Sequence, residues 1–102
     1  MIKILLICTA GISTSRVVER MLDHAKKLKV KVKIKSIGDA NKSEIIPDAS
    51  IILLGPQIRF TLDEVKKISG TTPVMVMDSQ NFGLLRGDLI LEAALDHLKV
   101  AF

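Results

Sequence analysis

The feature that most constrains the fold is "MIKILLIC" at residues 1–8, where only Lys3 interrupts an apolar run from Ile2 to Ile7. A strand with one wet face alternates apolar and polar residues, whereas a strand covered on both faces has no need to. The run therefore predicts a central strand of a parallel sheet with helices on both sides. The same stretch mimics the start of an export or lipoprotein signal. Its apolar part is only about half a signal core, and bulky Ile7 stands where cleavage before Cys8 would need a small residue. The strand is the better reading.

Parallel strands need crossovers, and the residues after this run supply them. Val17, Val18, Met21, Leu22, Ala25 and Leu28 share one helical face, while Arg16, Glu19, Arg20, Asp23, Lys26 and Lys27 share the other. Val30, Val32 and Ile34 then alternate with Lys29, Lys31, Lys33 and Lys35, a period of two with one wet face, which belongs at a sheet edge. A lysine row blunts edge-to-edge pairing; docking of an acidic partner is the alternative use. A short helix is expected at residues 43–46, before Pro47. "SIILL" at residues 50–54 is a buried strand ended by Gly55 and Pro56. Thr61 and Glu64 have capping-box spacing, Leu62, Val65 and Ile68 form an apolar stripe, Lys66 and Lys67 suit a helix C-terminus, and Gly70 closes the element. "PVMVM" at residues 73–77 is a fourth strand, and a last helix from about Asp88 buries Ile90, Leu91, Ala94, Leu95 and Leu98.

The class is α/β: an open four-stranded parallel sheet of order 2-1-3-4, helices on both faces, with a phosphatase-like phosphate loop after the first strand. In this order the switch point falls between strands one and three, and ligands of such sheets sit at the carboxyl ends beside it. Cys8 is at that end of strand one.

A chain of 102 residues, 48% apolar and 25% charged, has material for one domain spanning residues 1–102. Its single cysteine excludes an internal disulfide, a Cys-x-x-Cys pair and a multi-cysteine zinc site, which points to a reducing, cytoplasmic setting. No metal or cofactor is expected. No apolar stretch approaches the roughly 20 residues that span a bilayer, so no membrane insertion is expected and membrane association is assigned to a partner. The net charge of +4 comes largely from "KKLKVKVKIK" at residues 26–35. Without Trp, Tyr or an Arg-rich helix face, this does not make a nucleic-acid binder.

A lone cysteine is commonly just a small buried hydrophobe. The residues after Cys8 argue for more: Gly11, the hydroxyls of Thr9, Ser13, Thr14 and Ser15, and then the amino end of the strongest helix. Such a loop wraps backbone amides around an anion, and the same field favours a thiolate, so a lowered thiol pKa is expected. The guest that fits is a phosphoryl group, carried on Cys8 itself. The G-x-x-x-x-G-K-[ST] lysine is missing, which disfavours nucleotides. A receiver domain would need acidic residues at the strand ends. Cysteine phosphatases use Cys-x5-Arg, with the arginine clamping the phosphoryl oxygens. Here that position is Thr14, and Arg16, two residues on, reads as a solvated first-turn residue. A low-molecular-weight phosphatase-like hydrolase is thus the alternative, and a phosphocarrier the preferred reading.

"CTAGISTS" at residues 8–15, "LLGPQI" at residues 53–58 and "DSQNFG" at residues 78–83 resemble the corresponding loops of IIB components of the lactose, cellobiose and chitobiose family of phosphoenolpyruvate-dependent sugar phosphotransferase systems. The resemblance spans the whole chain. It implies that Cys8 accepts phosphate from a histidine of a cytoplasmic IIA component and donates it to a disaccharide held by a membrane-embedded IIC component, so that this protein visits the inner face of the membrane through IIC. It implies a phosphate cradle of Thr9, Ala10, Gly11, Ile12, Ser13, Thr14 and Ser15, with Gln57 and Asp78 bordering the site. Gln57 serves as turn stabiliser or ligand contact, and Asp78 caps its own loop rather than acting as an acid. Phe82 occupies a loop position where the family often has tyrosine. Phe60 is expected to be packed, and His24 and His97 to be surface residues away from the loop.

Overall fold

The computed structural model describes residues 1–8, 14–38 and 49–102. The greater part of the expected cradle, residues 9–13, and the short helix expected at residues 43–46 lie outside the described residues. The elements are β1 (Ile2–Cys8), α1 (Thr14–Leu28), β2 (Val32–Gly38), β3 (Ile51–Leu54), a 3-10 segment (Pro56–Thr61), α2 (Leu62–Ser69), β4 (Val74–Val76), α3 (Ser79–Gly83) and α4 (Gly87–His97). All three strand pairings are parallel and the order is β2-β1-β3-β4, as the sequence predicts. Cys8 pairs with Gly38, Ile7 with Leu54, and Leu54 with Val76, so the carboxyl ends of the strands form one rim.

The unbroken run in β1 follows from its place. Successive side chains leave a strand on opposite faces. Ile4, Leu6 and Cys8 enter a layer with Val17, Met21 and Ala25 of α1 and Ile90, Leu91, Ala94 and Leu95 of α4. Leu5 and Ile7 enter the other layer, with Ile52, Leu54, Ile58 and Val65. β3 is short and wholly buried for the same reason. β2, on the edge, buries only one side: Val32 and Ile34 pack toward α1 and α4, while Lys31, Lys33 and Lys35 are exposed. Leu22 is more exposed than its assigned face implies, because Met21 and Ala25 already define the buried line of α1 and residue 22 lies to one side of it.

α1 and α4 come unusually close at Gly87. A Cβ there would lie 2.6 Å from the Val17 carbonyl oxygen, 2.7 Å from the Met21 nitrogen and 2.8 Å from Arg20 Cβ. The contact is fastened by His24 Nε2, 2.7 Å from Glu92 Oε2. His24 is therefore a half-buried bridge between the two helices rather than a free surface residue, whereas His97 is exposed. At the start of α4 the Arg86 fork donates to both Asp88 oxygens, at 3.0 and 2.9 Å, and holds that carboxyl down at about 2.

Three further expectations are corrected. The capping box at Thr61 is absent: Thr61 ends a 3-10 turn with φ −89° and ψ 3°, and its hydroxyl donates back to the Ile58 carbonyl at 2.7 Å. An N-cap needs extended backbone so that its oxygen reaches forward, and the preceding turn denies that. Phe60 is not packed but 80% exposed, on the outside of that turn. Residues 79–83, expected as loop, form the single-turn helix α3, which turns Phe82 inward to burial in the layer that holds Cys8.

Candidate functional site

Three elements converge at the carboxyl rim beside the switch between β1 and β3. β1 ends in Cys8, whose side chain is 3% exposed and belongs to the same apolar layer as Met77 and Phe82. β3 runs into Gly55, whose amide donates to the Ile7 carbonyl at 2.8 Å and so holds the turn against β1. A Cβ on Gly55 would lie 3.3 Å from Cys8 Sγ and 3.1 Å from Gln57 Oε1, so any side chain at this position would crowd the thiol. α1 starts at Thr14, and the first amides of a helix have no partner within it. Thr14 is 7% exposed, and its hydroxyl has no hydrogen-bond partner among the described residues.

Burial pushes the Cys8 thiol above its ordinary pKa, and the nearby Thr14 hydroxyl works in the opposite direction with smaller effect. The Thr14 hydroxyl acts here as a polar neighbour rather than a formed hydrogen bond, since no partner of good geometry is present. The expectation of a lowered thiol pKa is thus reversed for the free protein. A sulfur buried in an apolar layer loses more from desolvation of its anion than one hydroxyl returns. The resting group is a neutral thiol.

The remaining assigned residues separate clearly. Ser15 and Arg16 are exposed on the first turn of α1, which fits the solvated reading of Arg16. Thr9, Ala10, Gly11, Ile12 and Ser13 lie outside the described residues. Gln57 is exposed and its amide oxygen borders the same small volume over Gly55 that the sulfur does. Asp78 is the N-cap of α3, accepting from the Asn81 amide at 2.9 Å, so its carboxylate is occupied by the helix it starts. Two features with a bearing on the site were not read from the sequence: the closeness of Gly55 to the thiol and the burial of Phe82. Gly55 carried a usable signal, a glycine directly after a buried strand at the switch point. The burial of Phe82 had none, because it follows from α3, whose single turn leaves no periodicity to read. No group of three or more His, Cys, Asp or Glu side chains among the described residues is arranged to hold a metal ion. No described helix is long and apolar enough to cross a membrane.

The Cys8 thiol is thus buried at the carboxyl end of a central parallel strand of an α/β sheet whose following helix, α1, starts at Thr14. The family model "PTS system, Lactose/Cellobiose specific IIB subunit" matches residues 3–93. The chain is 33% identical over 95 residues to the oligo-beta-mannoside-specific EIIB component of Bacillus subtilis, covering 91% of this chain and 92% of that one. It is 36% identical over 99 residues to the cellobiose-specific EIIB component of Lactococcus lactis, covering 89% and 91%. Among solved structures, the cellobiose-specific IIB component of Borrelia burgdorferi superposes with a TM-score of 0.74 at 30% identity, covering 93% of this chain and 89% of that one. The lactose-specific IIB domain of Streptococcus pneumoniae does so with a TM-score of 0.78 at 19% identity, covering 94% and 96%, which attests the fold. The chain belongs to the lactose/cellobiose IIB family of the phosphotransferase system.

Proposed function

We propose that this protein is a single-domain cytoplasmic phosphocarrier that takes a phosphoryl group onto Cys8 from a histidine of a IIA component and passes it to a disaccharide presented by a IIC membrane component. The observation that carries the reading is the Cys8 thiol at the carboxyl rim, flanked by Gly55, which has no side chain to crowd it, and near a buried Thr14 hydroxyl at the start of α1 that has no partner among the described residues. In the first transfer the donor's N–P bond breaks, an S–P bond forms, and the thiol proton leaves with the released imidazole. In the second the S–P bond breaks, the sugar hydroxyl oxygen takes the phosphorus, and its proton returns the sulfur to a thiol. The neutral resting thiol suits this sequence, because the proton it holds is the one the imidazole needs.

Residues 9–13, with Thr14 and Ser15, form the cradle in this reading. Gln57 borders it, and Asp78 serves the site only by anchoring α3. The chain supplies phosphate without selecting the sugar: sugar sites commonly stack an aromatic ring on the sugar face, and there is no Trp or Tyr, while Phe82 is buried. Incubation with phosphoenolpyruvate and the general phosphotransferase proteins, followed by intact mass measurement, should add one phosphate that Cys8→Ala abolishes. Undiminished labelling of Cys8→Ala refutes the assignment, and steady hydrolysis of a chromogenic phosphoester by the wild type would favour the hydrolase instead.

A further inference from the structure

The fold does not use up the lysines of its edge. Because Val32 and Ile34 pack toward α1 and α4, Lys33 and Lys35 leave β2 on the opposite side, and Lys31 precedes them in the same alternation. Lys26 and Lys27 in the last turn of α1, and Lys29 just after it, are exposed as well. The segment 26–35 thus carries six lysines and no carboxylate. None of the six ammonium groups has an ion-pair partner among the described residues. β2 pairs only with β1, so its outer edge has no neighbouring strand among those residues. At roughly 3.3 Å per residue, Lys31, Lys33 and Lys35 stand about 6.6 Å apart in a line.

Charged side chains blunt an edge. Six lysines in ten residues, without an ion-pair partner among the described residues, also make a field that calls for an anionic counterpart. Nucleic-acid readers use Arg forks, amide side chains or stacking aromatics, and this segment has none of them. A protein interface draws most of its energy from buried apolar or aromatic anchors. Among the described residues, the exposed large apolar side chains are Met1, Leu22, Phe60, Ile68, Leu84, Leu89 and Phe102, none of them within the row. A line of point charges on flexible stems matches a surface whose own charges are mobile and carry no sequence. We infer that the lysine edge docks electrostatically, without insertion, on a bilayer containing anionic lipids. Lys35 pairs with Leu5, three residues before Cys8, so the reactive rim stands about 10 Å further along the strand and stays clear of the docked edge. Sequence patterns assign membrane association to a partner; this edge adds a direct contact that does not depend on the phosphocarrier reading.

The test is co-sedimentation of the unphosphorylated chain with phosphatidylcholine vesicles, with and without phosphatidylglycerol, over a salt series. Binding is expected only with phosphatidylglycerol and should weaken steeply with salt. Each lysine near such a surface is worth about fivefold in partition, so Lys33→Gln/Lys35→Gln should lose roughly 20-fold. Lys66→Gln/Lys67→Gln, with the same charge removed from α2, should stay within about twofold of wild type if position rather than net charge matters. Circular dichroism verifies that both variants are folded. Absence of wild-type binding to phosphatidylglycerol vesicles at low salt, equal losses in the two variants, or tighter binding to duplex DNA than to vesicles would overturn the inference. Phosphorylation of Cys8, read by mass, is unaffected by any of these outcomes.

Discussion

Gly55→Ala separates access to the thiol from the stability of the fold. Gly55 has φ −62° and ψ 146°, a conformation open to any L-residue, so the substitution brings no backbone strain. Its cost is local. The new methyl would lie 3.1 Å from Gln57 Oε1, 3.3 Å from Cys8 Sγ and 3.5 Å from Cys8 Cα. Gln57 is exposed and swings away freely, but the sulfur is packed and must give by a few tenths of an ångström. Overpacking of that kind belongs at the low end of the usual range, about 1 kcal/mol in urea denaturation. The larger effect is on reactivity, because the methyl crowds the sulfur on the side of Gly55. A barrier raised by about 1.4 kcal/mol slows attack tenfold, and we expect at least that for both iodoacetamide alkylation and phosphoryl uptake. Gly38→Ala is the internal control: Gly38 pairs with Cys8 on the other side, yet a Cβ there meets nothing within 4 Å. Wild-type rates in Gly55→Ala, or equal slowing in Gly38→Ala, would refute the reasoning that crowding at Gly55 governs access to the sulfur.

Gly87→Ala should be the more damaging glycine change, because two of its three close contacts are backbone atoms of α1 that no rotamer can relieve; about 3 kcal/mol is expected in chemical denaturation. Asp78→Ala should cost about 1 kcal/mol through the lost Asn81 contact and leave Cys8 alkylation near wild type, with Asp78→Asn restoring most of the stability. A large drop in Cys8 reactivity with either residue would mean that the carboxylate does more than cap. Since the folded thiol is raised, its contribution to stability is complete below the ordinary thiol range and is lost as pH climbs through the folded value. Denaturation at a series of alkaline pH values should show a downward slope of up to about 1.4 kcal/mol per unit that Cys8→Ala lacks. Parallel curves for the two proteins would contradict a raised thiol.

How much was legible from sequence depends on how far each signal reaches. The run in β1 and the alternation in β2 report how many faces of each strand are covered, and that alone orders the sheet. The place of Cys8 at the end of the central strand was legible by the same logic. Its protonation was not, because desolvation depends on burial in a layer that includes residues from well beyond β1 in the chain, such as Met77 and Phe82. The capping box at Thr61 failed for a related reason: the spacing is local, but the 3-10 turn that fixes Thr61's backbone is set by how Gly55 and Pro56 leave the sheet. α3 escaped notice because one turn carries no period, although Asp78 did signal its start.

The burial that raises the thiol also decides where a phosphoryl group has to go. A neutral sulfur is tolerated in an apolar layer, whereas a dianion is not, since isolated charges cost far more to desolvate than any single contact returns. On the proposed reading, loading therefore drives the phosphoryl oxygens out of the apolar layer and onto the rim, where the first amides of α1 and the Thr14 hydroxyl, without a partner among the described residues, can serve as donors. The arginine of a Cys-x5-Arg loop would hold such a group by charge and bidentate hydrogen bonds. Thr14 in that position offers a neutral hydroxyl, which binds the phosphoryl group less tightly. A weaker hold serves a group that must leave for a second acceptor, and the apolar packing behind the sulfur limits approach of water from that side.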